Sequence, residues 1–421
     1  MLCAIGQSAS MVLMPIGQAE SIAASLAQVS AAHARPVPRT RVSRTAAIWD
    51  ALFIYQRKYP PRTRRSVSTI TLDETGSNTP GDQLQRKLVL VMQLPPELRN
   101  AIDQQLEGVS RNLLSDRAAR ISTHYRAGGR SAQTMRDELD VLAYVVVRMP
   151  ATYAAVRNVL TRLQERSPAF NPATLLDLGA GPGTASWAAA DAYPDLSSIT
   201  QFDSSGLLLQ LNRKLSESAP AQALRNARFV QADLSTAHAR NLGADLTLLS
   251  YTLAELSSPD IRALLTSAWA NCTGALAIVE PGTPAGYERI LLSRNLLLAQ
   301  GARILAPCPH QLPCPLVPPD WCHFAQRVQR TRDHMLVKSA DVPWEDEKFS
   351  YLIAVRENLF TPAADARILA QPTITKAGIT AKLCRTTGTV NLAQISKRDS
   401  AASKRMKKKD WGDEMGSDSG E

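Results

Sequence analysis

From Ala173 onward the chain alternates short apolar runs with intervals long enough for a helix; the runs are Thr174–Leu178, Ser198–Asp203, Ala227–Val230, Asp245–Ser250 and Ala275–Glu280. Runs this short are strand-sized. A strand that is followed by a helix-sized interval returns to its sheet in parallel, by a crossover. The pattern predicts a doubly wound α/β sheet. Phe349–Val355 is a further strand candidate, expected to close the sheet at its far side.

The first of these runs leads into Leu175-Leu176-Asp177-Leu178-Gly179-Ala180-Gly181-Pro182-Gly183-Thr184, where a first strand should turn into a helix. Gly179, Gly181 and Gly183 carry no Cβ, so the backbone can pass close under a ligand. A dinucleotide fingerprint would place its third glycine at 184, where this chain has Thr184. That offset, with Asp177 at the strand end, favours S-adenosylmethionine over NAD or FAD. An acidic residue is then wanted at the end of the second strand to accept from ribose hydroxyls, and Asp203 stands there. Asp233, after the third strand, is placed to face an adenine amine. The fourth strand ends in Ser250-Tyr251-Thr252-Leu253-Ala254-Glu255, which lacks the Asn/Asp-Pro-Pro-aromatic signature of amino-group methylation. A ligand pocket is therefore better supported than a reaction, and no catalytic residue is assigned.

The 421 residues allow two to three domains. Hydrophobic residues make up 44% and charged residues 20%, a globular balance. No run of 18 apolar residues occurs, so a membrane span is not expected. Lys and Arg exceed Asp and Glu by 48 to 38, which points to polyanionic partners such as RNA or DNA. Residues 1–90 read as a basic, unstructured extension: between Ala31 and Arg65 lie eight Arg and one Lys against Asp50 alone. A transit peptide, a floppy basic arm and a start codon assigned too early all fit it equally. Residues 91–168 read as a helical cap. One helix opens at Pro95-Pro96 and runs to Val109, a second spans Met135 to Val147, and a third runs from Ala154 to Leu163 after a break at Met149-Pro150. Residues 169–300 form the Rossmann domain and 301–360 a Cys/His metal-binding insertion with the closing strand. Residues 361–421 hold a hairpin, Ile379–Cys384 with Val390–Ile395, and the basic run Lys404–Lys409. That run is either a solvated helix or a nucleic-acid contact.

Six cysteines are too few for a disulfide scaffold at this length, which fits a reducing compartment. Three of them, Cys308, Cys314 and Cys322, share a short window with His310, His323 and His334. Clustering of this kind suggests a metal site. No Cys-x-x-Cys knuckle is present, and flanking prolines hold the thiols out of regular structure. Three thiolates and a remote fourth would complete an iron-sulfur site, with Cys384, the only later cysteine, as the natural fourth. Zinc bound with His310 or His323, or simple reduced thiols, are the alternatives. Cys272 is expected to pack as a small apolar group. Trp321, Phe324 and Trp344 are expected as core around the site, with the alternative that aromatics exposed among Arg327, Arg330 and Arg332 stack on unpaired bases.

Arg148–Tyr153, the loop Asp177–Thr184, Val279–Gly286, Cys308–Tyr351 with its Trp344-Glu345-Asp346-Glu347-Lys348-Phe349-Ser350-Tyr351, and the closing Trp411-Gly412-Asp413 carry a resemblance over about residues 93–415. They resemble the methyltransferase-like assembly factors of the small ribosomal subunit, the family of mitochondrial methyltransferase-like protein 17 with its yeast and bacterial relatives. The resemblance implies an S-adenosylmethionine methyltransferase sheet with an inserted metal region. It implies a [4Fe-4S] cluster on Cys308, Cys314, Cys322 and Cys384, in preference to zinc. It also implies a monomer that binds immature small-subunit rRNA and ribosomal proteins, with methyl transfer to rRNA as the alternative activity. The length suggests a bacterial cytoplasm first and a mitochondrial matrix second.

Overall fold

The computed structural model describes residues 91–126, 131–235 and 243–416. The expectations for residues 1–90, Cys3 included, lie outside the described residues.

Helices α1 (Pro96–Gln105) and α2 (Arg111–Arg126) lead into α3 (Glu138–Arg166), whose N-terminus is capped by the Asp137 side chain accepting from the Asp140 N–H. The break expected at Met149-Pro150 does not occur: α3 is continuous over 29 residues with Pro150 inside it. An internal proline removes one backbone hydrogen bond and costs about 3 kcal/mol. Here Val145, Val147, Met149, Tyr153, Val156 and Leu160 are all buried around that point, and packing of this extent outweighs local propensity. Helix α3 is long and apolar enough to cross a membrane by composition, but 83% of its apolar window is covered by the protein itself.

The main sheet alternates strand and helix: β1 (Thr174–Leu178), α4 (Thr184–Ala192), β2 (Ser198–Asp203), α5 (Gly206–Glu217), β3 (Arg228–Gln231), β4 (Ala244–Ser250), α6 (Ser258–Asn271), β5 (Cys272–Pro281) and α7 (Pro284–Ala299). Then follow β6 (Arg303–Ala306), β7 (Phe324–Gln329), α8 (Arg332–Val337) and β8 (Trp344–Val355). Among the described residues the strand order is β3-β2-β1-β4-β5-β8-β6, with β7 also paired to β8. β1 to β5 are parallel. β8 runs antiparallel to β5 and β6, with Val279 opposite Tyr351 and Arg303 opposite Val355. This is a mixed, Rossmann-like sheet, parallel from β3 through β5 with β8 reversed.

Two expectations change here. The strand at 349–355 sits between β5 and β6 and closes no edge. Its residues Phe349, Leu352, Ile353, Ala354 and Val355 are each fully buried, which an interior position requires and an edge does not. Second, 301–360 is not a separate insertion, because β6, β7 and β8 are strands of the main sheet and only the loop between β6 and β7 departs from it. Burial keeps these strands in the sheet: Leu305, Phe324 and Tyr351 join one core, and Ile304 and Leu352 the other.

A smaller sheet of β9 (Ala366–Ile368), β10 (Thr373–Ile374), β11 (Gly378–Arg385), β12 (Val390–Ser396) and β13 (Glu414–Met415) follows in order β10-β11-β9-β13, with β12 on β11. β11 and β12 pair as an antiparallel hairpin, Cys384 opposite Val390. Helix α9 (Ser400–Lys407) buries Met406 against this sheet and leaves Lys404, Arg405, Lys407 and Lys408 exposed.

Candidate functional site

The glycine loop joins β1 to α4 at the point where the strand order reverses, with β2 on one side and β4 on the other, the usual crevice for a ligand in an open α/β sheet. All three glycines are left-handed, with φ of 80° at Gly179, 54° at Gly181 and 84° at Gly183. They are not equivalent. A Cβ at Gly183 would lie 2.3 Å from Asn212 Oδ1, and one at Gly179 would lie 2.3 Å from Thr252 Oγ1. A Cβ at Gly181 would meet nothing within 4 Å, so the loop is open to a ligand there.

Asn212 cannot swing aside freely, since its Nδ2 donates to Gln201 Oε1 at 2.5 Å and to the Gly181 carbonyl at 3.2 Å. Gly183→Ala should therefore cost about 1–2 kcal/mol for the left-handed backbone and about 0.5–1.5 kcal/mol for each hydrogen bond that Asn212 gives up. Gly181→Ala should carry the backbone cost alone and weaken ligand binding instead. Urea midpoints of the two variants check this, and equal destabilisation would refute it.

The predicted carboxylates take different places. Asp203 is buried at the end of β2, and both oxygens accept from backbone: Oδ2 from Gly181 N–H at 2.8 Å and Oδ1 from Ser205 N–H at 2.8 Å. Burial raises its pKa against the lowering effect of these N–H groups. Asp203 thus ties the loop to β2; with the Ser204 N–H also bound to it, about one of its four lone-pair sites is left for a ligand hydroxyl. Asp177 lies beneath the loop, fully buried, its Oδ2 accepting from the Ser186 hydroxyl at 2.7 Å while Oδ1 has no partner. Burial pushes its pKa up to about 7, with the neighbouring Asp203 adding to the rise. Asp233 is exposed, and its Oδ1 accepts from the Ser235 N–H and hydroxyl.

Sequence reasoning did not pick out Tyr251 at the end of β4. Its φ is 59°, a left-handed conformation that bulky side chains rarely adopt. Its hydroxyl donates to Glu347 Oε1 at 2.8 Å, and the same oxygen accepts from Arg148 Nη2 at 3.2 Å. Nearby, buried Glu280 accepts from Leu253 N–H at 2.9 Å and from Arg289 Nε at 2.7 Å, and Trp321 Nε1 donates to the Gly282 carbonyl at 3.1 Å. Arg148, Glu280, Gly282, Trp321 and Glu347 belong to stretches that are far apart in sequence and meet in space. Phe324 packs inside, as expected, whereas Trp321 is only half-buried. Trp344 does not pack inside: it is 38% exposed on β8, with Arg327 stacked 4.0 Å over its ring, because it falls on the outward side of the β7–β8 pair. Cys272 is buried at the start of β5.

Cys308, Cys314, Cys322 and Cys384 line one largely apolar pocket with Tyr287, Arg294 and His310. Three of the thiols come from the β6–β7 loop and the fourth from β11 of the smaller sheet. Tyr287 Oη lies 3.1 Å from Cys314 Sγ, and His310 Nε2 lies 3.5 Å from Cys384 Sγ. Burial raises the Cys384 thiol to about 12, with Cys308 and Cys314 contributing. Cys322 is held well above the ordinary thiol range by burial and then by its three neighbours. His310 points Nδ1 at the Leu312 carbonyl, 3.1 Å away. His323 sits outside the pocket lining, stacked on Trp321 and edge-on to Trp411. Among the described residues no three His, Cys, Asp or Glu side chains are grouped as ligands of a single metal ion would be.

A family model described as Rsm22, mitochondrial small ribosomal subunit Rsm22, matches residues 138–416. The human ribosome assembly protein METTL17, mitochondrial, is 29% identical over 228 residues, covering 51% of this chain and 48% of that protein. The Rsm22-cox11 tandem protein 2, mitochondrial, of Schizosaccharomyces pombe is 25% identical over 233 residues, covering 52% of this chain and 30% of that protein. The chain thus spans about half the length of the human relative and less of the yeast one. Among solved structures, an O-methyltransferase family protein from Burkholderia thailandensis superposes with a TM-score of 0.36 at 14% identity, covering 62% of this chain and 71% of that one. Magnesium protoporphyrin IX methyltransferase from Synechocystis, with bound SAM, gives 0.34 at 13% identity, covering 62% and 98%. The family match takes in the glycine loop, the Arg148–Glu347–Tyr251 contact and all four pocket thiols, and this chain belongs to the Rsm22 family.

Proposed function

We propose that this chain is an assembly factor of the small ribosomal subunit that binds rRNA of the immature particle, with S-adenosylmethionine at the glycine loop and a [4Fe-4S] cluster in the thiol pocket. The observation that carries the reading is the family match over 138–416, which includes both sites. Support for S-adenosylmethionine is the opening at Gly181 beside Asp203, which suits a ligand carrying ribose hydroxyls. Support for the cluster is the meeting of three thiols from the β6–β7 loop with one from β11 in a single apolar pocket. The all-thiol set is what such a cluster takes as ligands, and the resemblance of the Cys308–Tyr351 stretch is the reason for preferring it to zinc. The exposed Lys404, Arg405, Lys407 and Lys408 would meet phosphates. The curated relatives are named as mitochondrial, which favours the mitochondrial matrix over a bacterial cytoplasm.

The test is sedimentation of the purified chain with small-subunit particles. Co-sedimentation should weaken with salt and weaken further when those four cations are changed to Glu; a chain that stays at the top of the gradient at low salt refutes the reading. The strained Tyr251 beside the loop favours a second reading, an active rRNA methyltransferase. Incorporation of labelled methyl groups into small-subunit RNA, abolished by Asp177→Ala, would establish it. Binding of the cofactor without incorporation would leave the assembly factor.

A further inference from the structure

The thiol pocket holds a buried positive charge without a counter-ion. Arg294, on the α7 helix, is 2% exposed. Its Nη2 donates to the carbonyls of His310 at 3.1 Å and Leu312 at 2.6 Å, while Nε is buried with no partner. Among the described residues no carboxylate pairs with it. The other buried or half-buried arginines nearby are treated differently: Arg289 pairs with Glu280 and Arg367 with Glu414. A guanidinium cannot shed its proton, and burying one unpaired costs several kcal/mol. The remaining polar side chains lining the pocket are Tyr287, Tyr351, His310 and four thiols, none of them a carboxylate.

We infer that Arg294 is the counter-charge for an anionic tetrathiolate cluster, a positioning residue that tunes its reduction. The inference rests on the cluster reading proposed above. Four thiolates around an iron-sulfur core leave a net negative charge, and the cluster becomes more anionic by one charge when it takes an electron from a reductant such as dithionite. A fixed cation in the same low-dielectric pocket favours the reduced form more than the oxidised one. Net charge and hydrogen bonds near the sulfurs are what set such potentials. The carbonyl bonds to His310 and Leu312 hold the guanidinium in place, so the loop carrying Cys308 and Cys314 and the charge that balances them are one structural unit.

The test uses the full chain reconstituted anaerobically with iron and sulfide, in native form and as Arg294→Met, Arg294→Gln and Arg294→Lys. The readouts are iron and sulfide content, visible absorption and the midpoint of a dithionite titration. At a fixed potential the reduced-to-oxidised ratio should fall about tenfold in the Met and Gln chains, a shift of ~59 mV for one electron. The Lys chain should return most of the way. Gln keeps donors for the two carbonyls but no charge, so it separates charge from loop support and stands in if Met does not fold. Neutral variants that hold native iron at an unchanged midpoint would overturn the inference and leave the cluster standing. A native chain that takes up no iron would overturn the cluster reading itself.

Discussion

At pH 8 the Asp177→Asn chain will unfold at a higher temperature than the native chain, and at pH 4 at a lower one. The folded carboxyl has its pKa raised to about 7, whereas in the unfolded chain it titrates as an ordinary Asp. Below pH 4 both states hold the proton and the shift has no effect on stability. Between pH 4 and pH 7 the unfolded chain gives up its proton and the folded one keeps it, so stability falls as pH rises. Above pH 7 the folded state carries a full penalty of about 4 kcal/mol, from roughly three pKa units at about 1.4 kcal/mol each. Asn cannot ionise and escapes that penalty. Its amide meets the same unpartnered surroundings as Oδ1, which costs about 1–3 kcal/mol at every pH. The two melting curves should cross between pH 4 and pH 8. Parallel curves would show that Asp177 is ionised and compensated in the fold.

The second large effect concerns Cys384, the only thiol of the four that stands on the smaller sheet. Anaerobically reconstituted native chain should be brown, and Cys384→Ser should lose that absorption along with most of its iron. A ligand at a thousandfold excess over its dissociation constant stabilises by about 4 kcal/mol, and at this chain length that is a fall in Tm of about 5 °C when binding is lost. Proteolysis should then begin in the 366–396 region, because Cys384 links it to the β6–β7 loop. A colourless native chain with stoichiometric zinc would refute the cluster, and a variant that keeps its iron would remove Cys384 from the ligand set.

Much of the sheet was legible because its signals are local. β1 and β2 fall where their apolar runs end, and the glycines needed for a left-handed turn stand in one decapeptide. The four thiols could be named from their clustering and from the scarcity of cysteine elsewhere. The continuity of α3 was not legible. Pro150 is a breaker by every local rule, and only the burial of the helix's own apolar side chains on either side of it keeps the helix whole. The position of β8 was equally hidden, since an apolar run says that a strand is buried but not between which neighbours. Trp344 was misread for the same reason: an aromatic residue carries no mark of which face of a strand pair it occupies.

By itself the sequence determined the chemistry available: a loop that admits a ligand, a carboxylate at each of the first two strand ends, four thiols and a basic C-terminal helix. These follow from residue type and short-range spacing. Only the tertiary structure decided how they are combined. It sent Asp177 beneath the loop and Asp203 onto the loop backbone, joined Arg148 to Glu347 and Tyr251, and left Arg294 unpaired beside the thiols. Such pairings depend on distances closed by the whole fold, and burial then makes each charge matter far more than it would in water.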